Sequence, residues 1–217
     1  MRDGKNFATR IVRACQDGRI IATATVNFAS GAGATGRDGG VAAARFEHAK
    51  TMPILLTLPD EAKVEVDGPL ELRKGEALNS LLIFAFPCQI YYMPSNKKIE
   101  QSDNATEKRI LYWMRAKGPI RENEKLLETQ LAALAYLSDA YLLAAITEVG
   151  NDPDWETVEM AASLVHTVHF HEPKAVRADQ WMCSERESPW AGNDRGLVLH
   201  RIWSNEGVLV ATCLQEV

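Results

Sequence analysis

The sequence predicts an α+β fold in which one long apolar helix is wrapped by an antiparallel sheet. The run 131–146 is apolar on nearly every side, with Asp139 as its only charged residue, and a helix that is apolar all round is typically buried. Patterns typical of β-strands lie on both sides of this run. A hairpin motif also occurs twice in the chain, which indicates that the fold is duplicated.

The repeated motif is a hairpin turn followed by its second strand. It begins at Asp17 with the letters DGRIIATAT and returns at Glu206 as EGVLVATCL, with the acidic residue, the glycine and the Ala-Thr pair in register. A strand pattern precedes each copy, at 11–15 and at 197–203. Gly18 and Gly207 provide the positive φ that tight hairpin loops need. We therefore predict one hairpin in each of two units.

The two units are unequal in length. Few residues precede the first hairpin, whereas the second follows the apolar helix and predicted strands at 69–73, 110–117, 163–171 and 181–187. We expect residues 1–53 to be the remnant of an incomplete first unit. This remnant includes a flexible glycine-rich connector at 29–40. Residues 54–217 are expected to form the second unit. The irregular stretch 75–104 is long for a connection and predicts an insertion.

Composition and charge narrow the functional classes. The chain has 217 residues, 46% of them hydrophobic, and a net charge of −5, which gives no general reason to expect nucleic acid as a partner. The apolar run 81–93 is broken by Pro87 and Gln89 and is too short to span a bilayer, so we predict a covered loop or strand there. The four cysteines lack metal-ligand spacing and are expected to be reduced thiols of an intracellular protein.

The apolar helix supplies the first candidate functional residue. Residues 122–124 carry acidic and capping side chains that suit a helix start, and Gly150 and Pro153 are expected to end it. One apolar stripe contains Leu127, Leu131, Leu134, Ser138, Tyr141 and Ala145. The carboxylate of Asp139 on such a helix is expected to be desolvated, which is costly, and we interpret it as a site. Alternatively, it is a structural acid satisfied by a neighbouring strand.

Several motifs resemble those of the type II acyl-CoA thioesterases, which are double hot-dog enzymes. The motifs are AASLVHTVHFHEP at 161–173, RADQW at 177–181, ESPWAG at 187–192, RGLV at 195–198 and GVLVATCLQE at 207–216. Stretches at 112–118, 136–139, 2–7 and 46–53 match as well, and the ESPWAG letters are most similar to the eukaryotic peroxisomal branch. The resemblance covers nearly all of the chain except roughly 29–43 and 75–104. Compared with the family, the chain lacks part of the first unit and the tail beyond the last strand, and it has Val165 where relatives commonly carry aspartate.

The resemblance implies hydrolysis of acyl-CoA to a free fatty acid and coenzyme A. It implies Asp139, Ser163 and Gln215 as catalytic residues, no metal and no cofactor, since coenzyme A is part of the substrate. All three residues belong to the second unit. The repeat supports this asymmetry, because the first hairpin has Val26 at the position where the second has Gln215. The resemblance also implies a peroxisomal location, although the last residues are not a peroxisomal address and the charged start shows no secretory signal. We expect a homo-oligomer, because the part missing from the first unit would leave apolar surface of its hairpin exposed. Otherwise we expect a cytoplasmic protein.

Other interpretations remain open at this point. Ser163 is a common type of residue at a strand start, and Gln215 could be a solvent-facing residue near a frayed end. The chain could be a hot-dog protein that binds acyl-CoA without turnover or serves as an oligomerisation module. Hydration of an enoyl thioester is less favoured, because no histidine accompanies Asp139 on the helix. A metal site at His166, His169 and His171 is disfavoured, since strand alternation sends His166 to the opposite face.

Overall fold

The structure is a computed structural model, and two compact units divide the chain, Met1–His48 and Ala49–Val217. It describes residues 2–3, 7–29, 48–53, 58–59, 87–92, 104–121, 125–140, 145–146 and 162–217. The sequence predicts a boundary at 53, whereas the structure places it slightly earlier. Residues just before 53 belong to the second unit because the carbonyl of Lys50 accepts a hydrogen bond from Trp203 Nε1 at 2.9 Å.

The first unit is a small antiparallel sheet in the order β1-β2-β3. Its strands are β1 (Arg2–Asp3), β2 (Phe7–Gln16) and β3 (Arg19–Ala29). Asp17 and Gly18 form a two-residue turn with φ of 50° and 77°, which is the left-handed geometry of tight hairpins. The predicted first hairpin is therefore confirmed.

The second unit is one antiparallel sheet with a helix against it. Its elements are β4 (Cys88–Tyr92), β5 (Ile110–Ala116), α1 (Leu126–Asp139), β6 (Val165–Phe170), β7 (Met182–Gly192), β8 (Arg195–Trp203) and β9 (Leu209–Glu216). The strand order is β4-β5-β7-β8-β9-β6. The predicted strands at 110–117 and 163–171 are confirmed, and the strand predicted at 181–187 continues to Gly192. The two-residue turn between β7 and β8 has positive φ at Asn193 and Asp194.

The two hairpins share a bulge as well as a sequence motif. Gly207 has a φ of 85°, as predicted, although it closes a longer loop than Gly18 does. The pairing of β2 with β3 shifts at Ile21, and the pairing of β8 with β9 shifts at Val210. The repeated motif places Ile21 and Val210 at equivalent positions. The duplication thus extends to an irregularity of the backbone, which a local resemblance of two turns would not produce.

Helix α1 is buried on one face only, so the prediction of a helix buried all round is wrong. Its buried residues are Gln130, Leu134, Leu137 and Ser138, whereas Leu127 and Tyr136 are 41% and 50% exposed. Leu134 and Leu137 pack against sheet residues such as Met114, Met182 and Ile202. The residues on the outer face of the helix are apolar too, and this is why the sequence predicts burial on every side.

The helix also ends earlier than the sequence predicts. Asp139 is its last residue, and Ala140 is extended, with φ of −61° and ψ of 124°. Residues 145–146 are helical again, and Ile146 packs so close to Gly196 that a Cβ at that glycine would collide with it. The predicted helix start at 122–124 and the stop signals at Gly150 and Pro153 lie outside the described residues.

The segment predicted as an irregular insertion contains a strand of the main sheet. Strand β4 pairs antiparallel with β5 along its length, so residues 88–92 are part of the fold. This outcome agrees with the covered strand that the apolar run 81–93 predicts. The rest of 75–104, the strand predicted at 69–73 and most of the glycine-rich connector lie outside the described residues. None of the helices in the described part of the chain has the length and apolar content needed to cross a bilayer.

The sheet face away from α1 is covered over β5, β7 and β8. Trp113, Trp181, Cys183 and Trp203 form a second buried cluster, with Met52 packed against it. Beside this cluster, the buried carboxylate of Glu185 pairs with Arg201 at 2.7 Å and with Lys50 at 2.8 Å. Strands β5, β7 and β8 are therefore closely packed on both faces and support the side chains that face the helix.

A buried glutamine ties α1 to the loop that precedes β7. Gln130 Oε1 accepts a hydrogen bond from the backbone N–H of Ala178 at 2.5 Å, and its Nε2 donates to Asp179 Oδ1 at 3.1 Å. Asp179 Oδ2 accepts from the N–H of Ile120 at 2.9 Å. Partial burial acts to raise the pKa of Asp179, but the hydrogen bonds from Ile120 and Gln130 outweigh it and lower that pKa. The position of α1 on the sheet therefore depends on a polar clamp as well as on apolar packing.

Replacing Gln130 with leucine should destabilise the fold although leucine suits a helix. The change leaves the N–H of Ala178 buried without its acceptor, which costs about 1–3 kcal/mol. Chemical denaturation monitored by circular dichroism measures the loss. The matched control is Gln180→Leu, because Gln180 is exposed and its replacement should change stability by less than about 0.5 kcal/mol. Equal effects of the two variants would contradict the role of the clamp.

Candidate active site

The three predicted site residues come from three separate elements of the second unit. Asp139 is the last residue of α1, Ser163 lies two residues before β6, and Gln215 is on β9. The segment that carries Ser163 is held in place because the N–H of Leu164 donates to the carbonyl of Glu216 at 2.8 Å. The fold thus brings residues that are far apart in sequence to one corner of the sheet.

The three side chains contact one another directly. Gln215 Nε2 donates to Asp139 Oδ1 at 2.8 Å and also donates to Ser163 Oγ. Ser163 Oγ lies 3.5 Å from the same Asp139 oxygen, a long and weak contact by hydrogen-bond standards. The amide of Gln215 is therefore the centre of the arrangement, with the carboxylate and the hydroxyl on either side of it.

The members of this triad differ in exposure. Gln215 is only 2% exposed, so the interpretation of Gln215 as a solvent-facing residue is wrong. Asp139 and Ser163 are exposed. The expectation that Asp139 is desolvated on a buried helix is therefore wrong as well, because Asp139 lies at the end of the helix and faces solvent. The site therefore combines a fixed, buried amide with two polar groups that a ligand can reach.

The end of β9 is paired on both sides and is not frayed. Gln215 lies opposite His166 on β6 and opposite Val198 on β8. The last residue, Val217, exchanges backbone hydrogen bonds of 3.0 and 2.8 Å with Gly196. Gln215 is consequently held by the sheet rather than by the packing of its own side chain alone.

The orientation of the Gln215 amide follows from its partners. An ionised carboxylate only accepts hydrogen bonds, so the amide nitrogen must face Asp139. The carbonyl oxygen Oε1 is buried and makes no hydrogen bond within the described part of the chain. The amide therefore meets the carboxylate through its nitrogen, and its oxygen is closed off from solvent.

Sequence reasoning missed two polar residues beside the triad. Ser138 is buried next to Asp139, and its Oγ donates to the carbonyl of Ala135 at 2.7 Å and lies 2.9 Å from His166 Nε2. His166 therefore faces the helix, whereas His169 and His171 are exposed, which confirms the predicted alternation. The cross-strand pairing of His166 with Gln215 could have indicated this neighbour, since paired residues share a face of the sheet.

A buried polar cluster lies deeper under the end of α1. His200 Nε2 is 2.5 Å from Ser184 Oγ and 3.4 Å from the Tyr112 hydroxyl, and His200 Nδ1 is 3.4 Å from the carbonyl of Ser138. Burial lowers the pKa of His200 well below its ordinary value, and the nearby Arg186 lowers it further. Burial raises the pKa of Tyr112 to about 12, against the opposing effect of Arg186. Both side chains are thus neutral at physiological pH.

The two buried cysteines of β7 and β9 are not suited to act as nucleophiles. Burial raises the pKa of Cys213 to about 11 and that of Cys183 further. Such thiols stay protonated and are poor nucleophiles. Among the residues that the structure describes, no group of three or more His, Cys, Asp or Glu side chains could hold a metal ion.

Residues 63–217 match the family model of the acyl-CoA thioesterase C-terminal domain. The chain is 32% identical to human acyl-coenzyme A thioesterase 8 over 224 aligned residues, an alignment that covers 99% of this chain. The chain spans 64% of the length of that relative, so the match includes most but not all of the human protein.

Solved structures give the same result for the fold. The crystal structure of an acyl-CoA thioesterase II from Mycobacterium marinum is similar, with a TM-score of 0.68 and 26% identity, covering 99% of this chain and 69% of that one. A hot-dog protein from Alicyclobacillus acidocaldarius has a TM-score of 0.55 at 15% identity, covering 99% of this chain and 68% of that one. The predicted hot-dog fold is confirmed.

The neutral, buried state of His200 predicts a loss of stability in mild acid. Because its pKa is lowered in the folded state, the unfolded chain takes up a proton first as the pH falls below about 6.5, and folding weakens by up to about 1.4 kcal/mol per pH unit. Melting temperatures measured from pH 7.5 to 5 should fall in the wild type and fall less steeply in His200→Gln. The exposed His169→Gln is the control and should keep the wild-type slope; equal slopes in both variants would contradict this assignment.

Proposed function

The chain belongs to the acyl-CoA thioesterase family, and on this basis we propose that it hydrolyses acyl-CoA thioesters to a free acid and coenzyme A. The observation that carries the proposal is the hydrogen-bonded group of Asp139, Ser163 and Gln215. A carboxylate, a hydroxyl and a fixed amide are the groups needed to orient a water molecule and to take its proton. The human relative is named as an acyl-CoA thioesterase, which supports the same substrate class.

Exposure assigns a distinct task to each group. Asp139 is reachable from solvent, so a bulky thioester and a water molecule can approach its carboxylate. Gln215 is buried and fixed, so it holds the carboxylate in place. A water that donates a hydrogen to Asp139 would have its lone pair directed away from the carboxylate, toward the substrate carbonyl.

The proposed reaction starts with attack of this water on the thioester carbonyl carbon. Asp139 takes the proton as the carbon–oxygen bond forms, and the carbonyl oxygen becomes an oxyanion. Collapse of this intermediate breaks the carbon–sulfur bond, and the coenzyme A thiolate leaves with the proton that Asp139 took from the water, which restores the carboxylate. The reaction uses only water and the thioester, so we propose that it requires neither a metal nor another cofactor.

Ser163 and Gln215 act on the water and on the base. The Gln215 amide fixes one carboxylate oxygen of Asp139 through the bond of 2.8 Å, which leaves the other oxygen to face the water. Ser163 accepts from the same amide and keeps its own hydrogen for the carboxylate or the water. Removing either residue should therefore lower the rate less than removing Asp139.

An alternative function is acyl-CoA binding without turnover, or a role as an oligomerisation module. The first unit supports this alternative, because several of its apolar side chains are exposed. They are Phe7, Ile11, Val12, Ile20, Ile21 and Phe28, each more than half exposed. Exposed apolar surface favours association, so we also propose that the chain forms a homo-oligomer.

The Asp139→Asn variant tests the proposed hydrolysis. Asparagine is similar in shape and cannot take a proton, so kcat should fall by about 10²–10⁴-fold while KM changes little. The measurement is steady-state release of coenzyme A thiol over a panel of short to long acyl-CoA substrates. Cys15 is exposed and will react with the thiol reagent once, so a blank without substrate is subtracted.

The matched control is Asp194→Asn. Asp194 lies in the turn between β7 and β8 with a φ of 58°, a conformation that asparagine accepts equally well, so kcat should stay at the wild-type value. Full activity of a folded Asp139→Asn variant would overturn the role of Asp139. A folded wild-type chain that releases no coenzyme A would instead favour the alternative function.

A further inference from the structure

The end of α1 at Asp139 has no explanation in the local sequence. The residues that follow, Tyr-Leu-Leu-Ala-Ala-Ile at 141–146, contain neither glycine nor proline and are compatible with a continuing helix. Nevertheless Ala140 is extended, and its N–H donates to the carbonyl of Leu137 at 3.1 Å, a bond characteristic of a tightened last turn. A contact from elsewhere in the chain must favour this ending.

Arg186 makes that contact. It lies on β7 and is 2% exposed, and its Nη2 donates to the carbonyl of Ala140 at 2.5 Å. In a continuous helix this carbonyl would accept from the N–H four residues later, whereas Arg186 gives it a donor that does not depend on continuation of the helix. The guanidinium also lies 4.6 Å from the centre of the Tyr112 ring, within the range of a cation–π contact.

The charge of Arg186 suits this position. The last carbonyls of a helix carry partial negative charge, and a cation there is favourable. Burying a cation is costly unless it is well satisfied, so the side chain is confined to the place where a carbonyl and an aromatic face meet it. The contact is therefore a specific feature of this helix end.

We propose that Arg186 is a positioning residue for the hydrolysis, and the inference rests on the proposed function. By holding the carbonyl of Ala140, Arg186 ends α1 at Asp139 and keeps the carboxylate within reach of Gln215. Asp139 is thus held in two ways: its side chain by the Gln215 amide at 2.8 Å, and the residue that follows it by the bond from the Arg186 guanidinium to the Ala140 carbonyl at 2.5 Å. Neither contact involves the substrate.

The test compares Arg186→Met, which removes the donor, with Arg186→Lys, which keeps a charged donor of different geometry. Coenzyme A release is measured at a temperature where circular dichroism shows each variant folded. Arg186→Met should lower kcat by about 10–100-fold with KM within about threefold, because the base is misplaced while substrate contacts remain. Arg186→Lys should recover part of the rate.

Met182→Ala separates positioning from general stability. Met182 is buried on the same strand and packs in the core against α1, but no hydrogen bond links it to Ala140. This control should lower the melting temperature and leave kcat within about twofold of the wild type. If Arg186→Met fails to fold, Arg186→Lys decides: a kcat below that of Met182→Ala supports the proposal, and an equal or higher kcat overturns it. Wild-type kcat in a folded Arg186→Met overturns it as well.

A structural readout keeps the inference separate from the proposed function. The ¹³Cα and ¹³Cβ chemical shifts of Ala140 report whether that residue is extended or helical. In Arg186→Met, or in Arg186→Lys if the former does not fold, they should move toward helical values, and unchanged shifts would overturn the inference whether or not the chain is active. A wild-type chain without hydrolysis defeats the proposed function; an active wild type with an equally active Arg186→Met defeats only this inference.

Discussion

The buried amide of Gln215 is the constraint on which the rest of the site depends. An amide withdrawn from water must find hydrogen-bond partners or cost several kcal/mol, roughly, and the partners of Gln215 are Asp139 and Ser163. This requirement links the end of α1, the start of β6 and the middle of the β8-β9-β6 sheet. Because the Gln215 amide must be hydrogen-bonded, it fixes the relative positions of these three elements.

The frame around this amide explains why it can stay fixed. Strand β9 is paired on both sides, and the Gln130 clamp holds α1 in place. Tryptophans and part-buried ion pairs cover the far face of β5, β7 and β8. The exposed carboxylate and hydroxyl then face solvent from a rigid base. Preorganised groups of this kind lower a barrier because they need little rearrangement during the reaction.

The sequence predicts the identity of the site residues better than their environment. The family motifs point to Asp139, Ser163 and Gln215, and the fold brings them together; the family and the hot-dog fold are confirmed. The predicted burial of Asp139 is wrong, because the apolar residues around it indicate a helix that continues past this position. The contact at the helix end comes from Arg186, 46 residues away, and no local propensity can anticipate such a contact.

The buried polar groups could not be predicted for a related reason. Strands β7 and β8 are covered on both faces, so a polar residue in them does not indicate a solvated face. This applies to Ser184, Arg186 and His200. Gln130 sits between apolar neighbours on the helix and is recognised as a clamp only once Ala178 and Asp179 are seen beside it. By contrast, the hairpins can be predicted, because glycine adopts a positive φ more readily than other residues do, and Gly18 and Gly207 lie in the turns.

The central claim is that Asp139 and Gln215 act as one catalytic unit, and a double-mutant cycle on kcat tests it most directly. Coenzyme A release is measured for the wild type, Asp139→Asn, Gln215→Leu and the double variant. If the amide works through the carboxylate and the water it activates, the double variant will be no slower than Asp139→Asn alone. Losses that multiply in the double variant would show that the two residues act independently and would contradict this account.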